Sequence, residues 1–320
     1  MWEIHGAGVA GSYLYNRLDS EGFEVRIKDP KVENYYIPCG FASNSSRLKP
    51  YLSKAGIDFE SIVLDQGKGV TIEGHKFPPF KVDESDICTI DKMGMENQFL
   101  KWKFPERNGR MNASGYHIDA TGITRAFLPK PTNDTRMFAI EKICKTSQHD
   151  DFYFYFFPRG TGYFWSFPIK NGFHIGAGGI NLGEVKRYLE PHAAEKTVSR
   201  NIRMSPILEN IVSGNVIGVG ESIGYISPVL GEGIVPALES AEILFQIIRR
   251  ESDFKEISLS YEREVTKKLE TYRRISELVK NIQNSKVFTL GNILTMRSAL
   301  KEVKNFGINL SIRKIMGHFL

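Results

Sequence analysis

"MWEIHGAGVAGSYLYNRLDSEGFEVRIKDP", residues 1–30, is the stretch that decides the fold. A short strand candidate leads into Gly6, Gly8 and Gly11 in GxGxxG spacing, and an apolar repeat with helical period follows. A second strand candidate then ends at Asp29. Strand, glycine turn, helix, strand and acid in this order are typical of a Rossmann-type dinucleotide-binding unit.

Each part of this unit has a physical task. Gly6 permits the tight turn, Gly8 lets the backbone approach a pyrophosphate, and Gly11 lets the helix and strand pack closely. The helix N-terminus favours phosphate, and Asp29 is suited to accept hydrogen bonds from a ribose. The stretch predicts dinucleotide binding but does not separate FAD from NAD(P).

The composition is that of a soluble globular protein of 320 residues, with 41% hydrophobic and 25% charged residues. This length predicts two subdomains with a helical appendage. Cys39, Cys88 and Cys144 are too widely spaced for a CxxC metal site, and their odd number argues against a disulfide framework. We therefore expect no metal site. With neither a signal peptide nor an apolar run long enough to span a membrane, we expect a cytoplasmic protein.

The net charge of +5 lies in one segment. Residues 286–320 hold six lysines and arginines against one glutamate, together with many large apolar residues. Such a segment can lie against an anionic membrane surface, which would make the protein membrane-associated. The alternative is a helical appendage with its apolar face on the body and a solvated basic face. We expect no nucleic-acid partner.

Two later segments also suit close approach of a ligand. A strand candidate at 116–118 runs into "DATG", residues 119–122. Another at 216–219 ends at Gly220-Glu221 and is followed by the loop "PVLGEGI", residues 228–234, which opens a helix predicted to reach residue 249. A glycine loop at a helix start presents backbone N–H groups and a positive dipole end.

"TGYFWSFP", residues 161–168, places Tyr163, Trp165 and Phe167 at alternate positions of a strand, so their rings share one face. The aromatic segment 152–157 is expected to pair with it as a hairpin, and Pro168 is expected to end the strand. These rings are either core or the wall of a pocket.

The motifs together resemble the FAD-dependent geranylgeranyl reductases, which belong to the wider p-hydroxybenzoate hydroxylase-like flavoprotein fold. The resemblance rests on GAGVAG with Asp29, PCG at residues 38–40, DATG, GYFWSFP, GES and PVLGEGI, and it runs to about residue 250. Its most specific element is the aromatic-x-Trp-x-Phe-Pro signature followed by "GAGG", residues 176–179. The chain departs from the family at Glu221, where an aspartate is usual, and between residues 91 and 119, which is short.

The resemblance implies FAD as the cofactor and a set of cofactor contacts. These are Gly6, Gly8, Ala10, Gly11, Asp29, Cys39, Gly40, Ala120, Gly122, Gly220, Glu221, Pro228, Gly231, Glu232, Gly233 and Ile234. It also implies that Cys39, Tyr163 and Trp165 belong to the catalytic cavity. Tyr163, Trp165 and Phe167 would line a hydrophobic tunnel for a polyprenyl chain.

Three functions follow from these observations. The first is an FAD-dependent oxidoreductase that reduces C=C bonds of an isoprenoid (geranylgeranyl or polyprenyl) lipid or quinone tail by hydride transfer from flavin N5, with NADPH or reduced ferredoxin as electron donor. The second is a flavin monooxygenase or halogenase acting on a small aromatic substrate. The third is a non-catalytic dinucleotide-fold protein whose basic tail docks on membrane or nucleic acid.

The expected fold is α/β, with a Rossmann-like FAD-binding domain, a mixed or antiparallel substrate-binding sheet and a helical C-terminal segment. The FAD-binding domain is predicted to be discontinuous (1–50, 86–125 and 212–250). The substrate domain comprises 51–85 and 126–211. Residues 251–320 are predicted helical from apolar positions between Val265 and Ile282 that recur every three or four residues.

Overall fold

The structure, a computed structural model, describes residues 1–31, 36–37, 39–75, 77–82, 86–107, 115–284 and 290–308. The strands are β1 (Trp2–His5), β2 (Val25–Lys28), β3 (Ala42–Asn44), β4 (Val63–Gln66), β5 (Val70–Gly74), β6 (Phe77–Val82), β7 (Ile87–Ile90), β8 (Tyr116–Asp119), β9 (Arg136–Cys144), β10 (Phe152–Phe156), β11 (Gly162–Ile169), β12 (Gly172–Gly179), β13 (Lys196–Arg203), β14 (Val212–Ser213) and β15 (Val216–Gly218). The helices are α1 (Val9–Ser20), α2 (Ser45–Lys54), α3 (Lys92–Phe99), α4 (Leu182–Leu189), α5 (Ile234–Ile248), α6 (Phe254–Gln283) and α7 (Leu290–Asn305).

A five-stranded sheet, in the order β14-β15-β8-β1-β2, forms the centre of the first domain. Strand β1 runs parallel to β2 and β8, and β15 runs parallel to β8. Helices α1, α5 and α6 share one core with the sheet, which includes the fully buried Ile4, Leu14 and Ile118. The Rossmann-like expectation is therefore confirmed, because parallel strands need helical crossovers that cover the sheet.

A mixed seven-stranded sheet, in the order β13-β9-β12-β11-β10-β5-β6, forms the second layer. Strands β10 and β11 pair antiparallel, with Phe154 opposite Trp165, so the aromatic hairpin is confirmed. Strand β11 continues to Ile169, and Pro168 lies opposite Phe173. The prediction that Pro168 ends the strand was therefore wrong by one residue.

The third sheet is small and has three strands in the order β3-β7-β4. Helix α2 and the segment 57–62 contribute Leu48, Leu52, Phe59 and Ile62 to the core of the first domain. Helix α2 therefore packs its apolar face on this core on both sides of residue 50.

The C-terminal segment is helical in its described part. Helix α6 buries the periodic positions from Val265 to Leu278, whereas Ile282 is 37% exposed. Val303, Phe306 and Ile308 are buried against the second sheet's core. No helix among the described residues is both long and apolar enough to cross a bilayer. Residues 285–289 and 309–320 of the predicted basic segment lie outside the described part.

Candidate functional site

The turn after β1 has the geometry that its glycines predict. Gly6 has φ of 101°, and a Cβ there would lie 2.3 Å from the Ala120 carbonyl oxygen. A Cβ on Gly11 would lie 1.9 Å from the Gly6 oxygen. A Cβ on Gly8 would meet only the Glu96 carboxylate, at 3.9 Å. Gly6 and Gly11 thus close the turn, while Gly8 leaves the backbone open to a ligand.

The start of α1 and the end of β2 face the same turn. Gly8 is the N-cap of α1, and no side chain caps it. Asp29 accepts hydrogen bonds from the Ala7 N–H (2.5 Å) and the Lys31 N–H (2.7 Å). The Lys31 ammonium donates to the Ala7 carbonyl at 2.8 Å. The uncapped N-terminus of α1 directs its positive dipole end at this turn, as a diphosphate requires, while Asp29 and Lys31 offset each other's charge.

Small residues let three strand ends approach one another at the turn. Gly220 has φ of 63°, and a Cβ there would lie 3.1 Å from the Ala10 Cβ. The Gly220 N–H donates to the Ser240 hydroxyl at 3.0 Å. Gly122 also has φ of 63°, just after β8. Ala10, Ala120, Gly122 and Gly220 therefore occupy one crowded junction.

Glu221 lies beside this junction but is held by arginines. Its carboxylate is 2.5 Å from the Arg200 guanidinium and accepts a hydrogen bond from the Arg203 N–H at 3.1 Å. Both partners belong to β13. The structure places Glu221 as a link between the two sheets, and the sequence did not reveal these partners.

Helix α3 contributes a second charged group near Gly8. Lys92 is only 8% exposed and lies 2.6 Å from the Glu96 carboxylate. Glu96 also lies 3.5 Å from Lys31. Two lysines and one glutamate therefore lie next to the open face of the glycine turn, where Asp29 is the second carboxylate.

The loop before α5 is tightly closed. The Gly231 N–H donates to the Ser227 carbonyl, and the Ser227 N–H donates to that of Glu232, both at 2.9 Å. Glu232 caps α5 by accepting the Val235 N–H at 2.8 Å. Burial raises the pKa of Glu232 to about 7, although this hydrogen bond opposes the shift. Pro228 and Ile234 are buried at the two ends of the loop.

The aromatic strip consists of Tyr163, Trp165 and Phe167 and faces both loops. Successive ring centroids are 5.6 and 6.2 Å apart, which confirms that the rings share one face. The Tyr163 hydroxyl donates to the Leu230 carbonyl. A Cβ on Gly40 would lie 2.8 Å from the Phe167 ring. The strip thus joins the 39–40 segment to the 228–233 loop, while Pro38 lies outside the described residues.

Glycines in β12 make room for this strip. Gly176 lies opposite Trp165, and a Cβ there would lie 2.1 Å from the indole. A Cβ on Gly178 would lie 2.9 Å from the Met137 methyl group. The indole therefore lies directly against β12 at Gly176. This close approach explains why the GAGG stretch accompanies the aromatic signature.

A polar cluster that the sequence did not reveal surrounds Cys39. The Tyr36 hydroxyl donates to Glu141 at 2.7 Å, and His174 Nδ1 is 3.8 Å from the other Glu141 oxygen. Among the described residues, Glu141 Oε2, His174 Nδ1 and Trp165 Nε1 are buried without a hydrogen-bond partner. Glu141 lies on the same sheet face as Met137 and Ala139. An acidic residue at one of the alternating apolar positions of this strand is the sequence signal that could have identified it.

Burial sets the protonation of this cluster. It raises the pKa of Glu141 to about 8, against the hydrogen bonds from Tyr36 and the Cys39 N–H. It lowers the pKa of His174 to about 4 and raises that of the Cys39 thiol. Near pH 7 the cluster holds a protonated carboxyl, a neutral imidazole and a thiol. The Glu141 carboxyl and the Cys39 thiol are therefore two proton donors in one cluster.

Comparison with known proteins supports the fold. The sequence matches no protein-family model. It is 25% identical to the uncharacterized protein MJ1182 of Methanocaldococcus jannaschii, over 98% of both chains. The solved structure of a geranylgeranyl bacteriochlorophyll reductase-like protein from Thermoplasma acidophilum superposes with a TM-score of 0.73 at 17% identity, covering 95% of this chain and 98% of that one.

Two other solved structures extend the comparison. PqsL, a probable FAD-dependent monooxygenase from Pseudomonas aeruginosa, has a TM-score of 0.65 at 12% identity, covering 88% of this chain and 96% of that one. HpxO from Klebsiella pneumoniae, complexed with FAD, has a TM-score of 0.62 at 13% identity, covering 95% and 98%. The chain therefore has the fold shared by geranylgeranyl reductase-like and p-hydroxybenzoate hydroxylase-like flavoproteins.

Proposed function

We propose that this protein is an FAD-dependent oxidoreductase. The glycine turn fits the cofactor, because the absence of a Cβ at Gly6 and Gly11 lets the backbone close tightly, whereas Gly8 is open. Gly6, Gly8 and Asp29 would hold the ADP half, and the loop 228–233 would border the ring system. FAD, when bound, supplies a hydride from N5 of its reduced form.

We further propose that the substrate is an isoprenoid lipid or quinone tail whose C=C bonds are reduced. The observation that carries this proposal is the aromatic strip. Its three rings share one face and adjoin Gly40 and the loop 228–233, both of which contain predicted cofactor contacts. An isolated C=C bond offers no polar handle. The chain would therefore act by apolar positioning and by excluding water.

The polar cluster would provide the proton that the second alkene carbon takes up. Glu141 holds a proton near pH 7 and is linked to Tyr36 and the backbone of Cys39. Cys39 adjoins Gly40, which touches the aromatic strip. We assign Cys39 as the proton donor and Glu141 as the group that holds the replacement proton.

The same cluster favours a second candidate, monooxygenation of a small aromatic substrate. A hydroxylated aromatic ring needs polar partners in an apolar pocket, and Glu141, His174 and Tyr36 are such groups. This function requires oxygen and a nicotinamide donor, whereas alkene reduction proceeds without oxygen.

The discriminating experiment uses purified protein under anaerobic conditions. We expect flavin to be released on mild denaturation, dithionite to bleach the bound flavin, and a geranylgeranyl lipid to reoxidise it with a gain of hydrogen in the lipid. W165A should slow this reoxidation, while the control W102A, at a 69% exposed site, should not. Protein without flavin would refute the cofactor. No anaerobic reoxidation by the lipid, together with an aromatic compound that stimulates reoxidation once oxygen is admitted, would favour the second candidate.

We also propose a peripheral membrane contact through residues 286–320. In the described part of α7, Leu294, Arg297, Lys301 and Lys304 are exposed and recur every three or four residues. They form one basic face with an apolar residue, opposite the buried Ala299 and Val303. An anionic lipid surface is complementary to such a face.

A further inference from the structure

A second buried polar cluster lies in the central sheet, away from the aromatic strip. Glu3 and His5 alternate on β1, so both side chains point to one face. His117 on β8 lies directly beside Glu3 in the parallel register. The three residues are 2%, 4% and 0% exposed. The sheet thus brings together two imidazoles, which are 112 residues apart in the chain, and a carboxylate.

The three polar atoms converge on one point. His5 Nε2 is 3.1 Å from His117 Nδ1 and 3.2 Å from Glu3 Oε1, and His117 Nδ1 is 3.5 Å from the same oxygen. Ligands of a tetrahedral Zn²⁺ at 2.0–2.1 Å from the ion are about 3.3–3.4 Å from one another. The triangle formed by His5 Nε2, His117 Nδ1 and Glu3 Oε1 therefore matches in size one face of the ligand tetrahedron around Zn²⁺.

Hydrogen bonding alone leaves this triangle incomplete. If His5 Nε2 carries a proton, it donates to His117 Nδ1. Glu3 Oε1 then has no hydrogen-bond partner among the described residues. A buried carboxylate oxygen without a donor is costly. One cation at the centre would satisfy all three atoms at once.

The surroundings are those of a supported ligand set. Lys28 holds the other Glu3 oxygen at 2.7 Å, which orients the carboxylate. Phe127 stacks on the His5 ring at 3.9 Å between centroids and restricts its rotation. Asp119, fully buried and opposite His5 in the register, supplies a second negative charge that balances Lys28.

We propose that Glu3, His5 and His117 form a binding site for a divalent transition-metal ion, with Zn²⁺ as the best fit. Imidazole nitrogen and carboxylate oxygen are ligands that Zn²⁺ accepts, and water would complete the tetrahedron. The ion would join the two central strands one residue before Gly6. The ion would therefore have a structural role in the domain. From the sequence we expect no metal site, because the spacing of these three residues in the chain does not reveal one.

The test is metal binding by the full chain, purified without a histidine tag and stripped with a chelator. We expect Co²⁺ to bind at one ion per chain with the intense visible absorption of a tetrahedral site, and Zn²⁺ to displace it. E3Q, nearly isosteric, and H117Q should weaken binding at least 100-fold, while the control H192Q should bind as the wild type does.

Thermal unfolding provides the second measurement. Zn²⁺ should raise the Tm of the stripped wild type and of H192Q, but not that of E3Q. Circular dichroism spectra that match the wild type would show that E3Q is folded. Absence of stoichiometric binding to the wild type would overturn the proposal. Binding by E3Q and H117Q as tight as that of the wild type would also overturn it and would identify Glu3, His5 and His117 as a polar core cluster.

Discussion

Glu141 lies in the apolar interior at 0% exposure, and its substitution by glutamine tests the protonation of the polar cluster. Burial raises its pKa from 4.5 to about 8, which corresponds to about 5 kcal/mol between the two protonation states. The native chain keeps the proton up to about pH 8, whereas the unfolded chain loses it above 4.5. This group therefore makes the protein less stable as pH rises through that window.

E141Q removes this ionisation but keeps an oxygen that accepts the Tyr36 hydrogen bond. We expect the free energy of unfolding of E141Q, minus that of the wild type, to increase by about 3 kcal/mol between pH 5 and pH 8. Urea unfolding at half-unit pH intervals measures this difference, and ionisations common to both proteins cancel. E190Q, at an exposed glutamate, should follow the wild-type curve. Parallel curves for E141Q and the wild type would show that Glu141 is already ionised in the folded protein, which would refute our assignment of a stored proton.

Three further predictions concern the strip, the glycine turn and α7. G176A should destabilise the protein by about 1–3 kcal/mol in urea unfolding, because the added Cβ would lie 2.1 Å from the indole; an unchanged midpoint would show that the ring moves freely. G6A should abolish flavin retention, measured by absorbance after gel filtration, because φ of 101° and the Ala120 carbonyl exclude a Cβ; full flavin occupancy would contradict the turn geometry. R297E/K301E should reduce co-sedimentation with anionic vesicles and its salt dependence, relative to R187E on α4; equal sedimentation would exclude α7 as the contact.

The sequence predicted the elements whose cause is local. The β1–α1–β2 unit, the aromatic hairpin and the start of α5 are all present near their predicted bounds, because strand and helix periods and glycine turns depend on neighbouring residues. The positions of Gly6 and Gly11 are also confirmed as close approaches. These features require only that the backbone adopt a conformation that few other residues allow.

The tertiary structure decided which side chains meet across the two sheets. Glu221 pairs with Arg200, although its motif predicted a cofactor contact, because β13 crosses above the junction. Glu141 and His174 meet only when β9 and β12 pair, and Tyr36 reaches Glu141 from a distant part of the chain. Glu3, His5 and His117 likewise meet only through the β1–β8 register. By itself the sequence determined the frame that holds a dinucleotide, since that frame is built from local turns and periods. The protonation and partners of the buried polar groups were decided by long-range packing, because desolvation and charge pairing depend on residues that are distant in the chain.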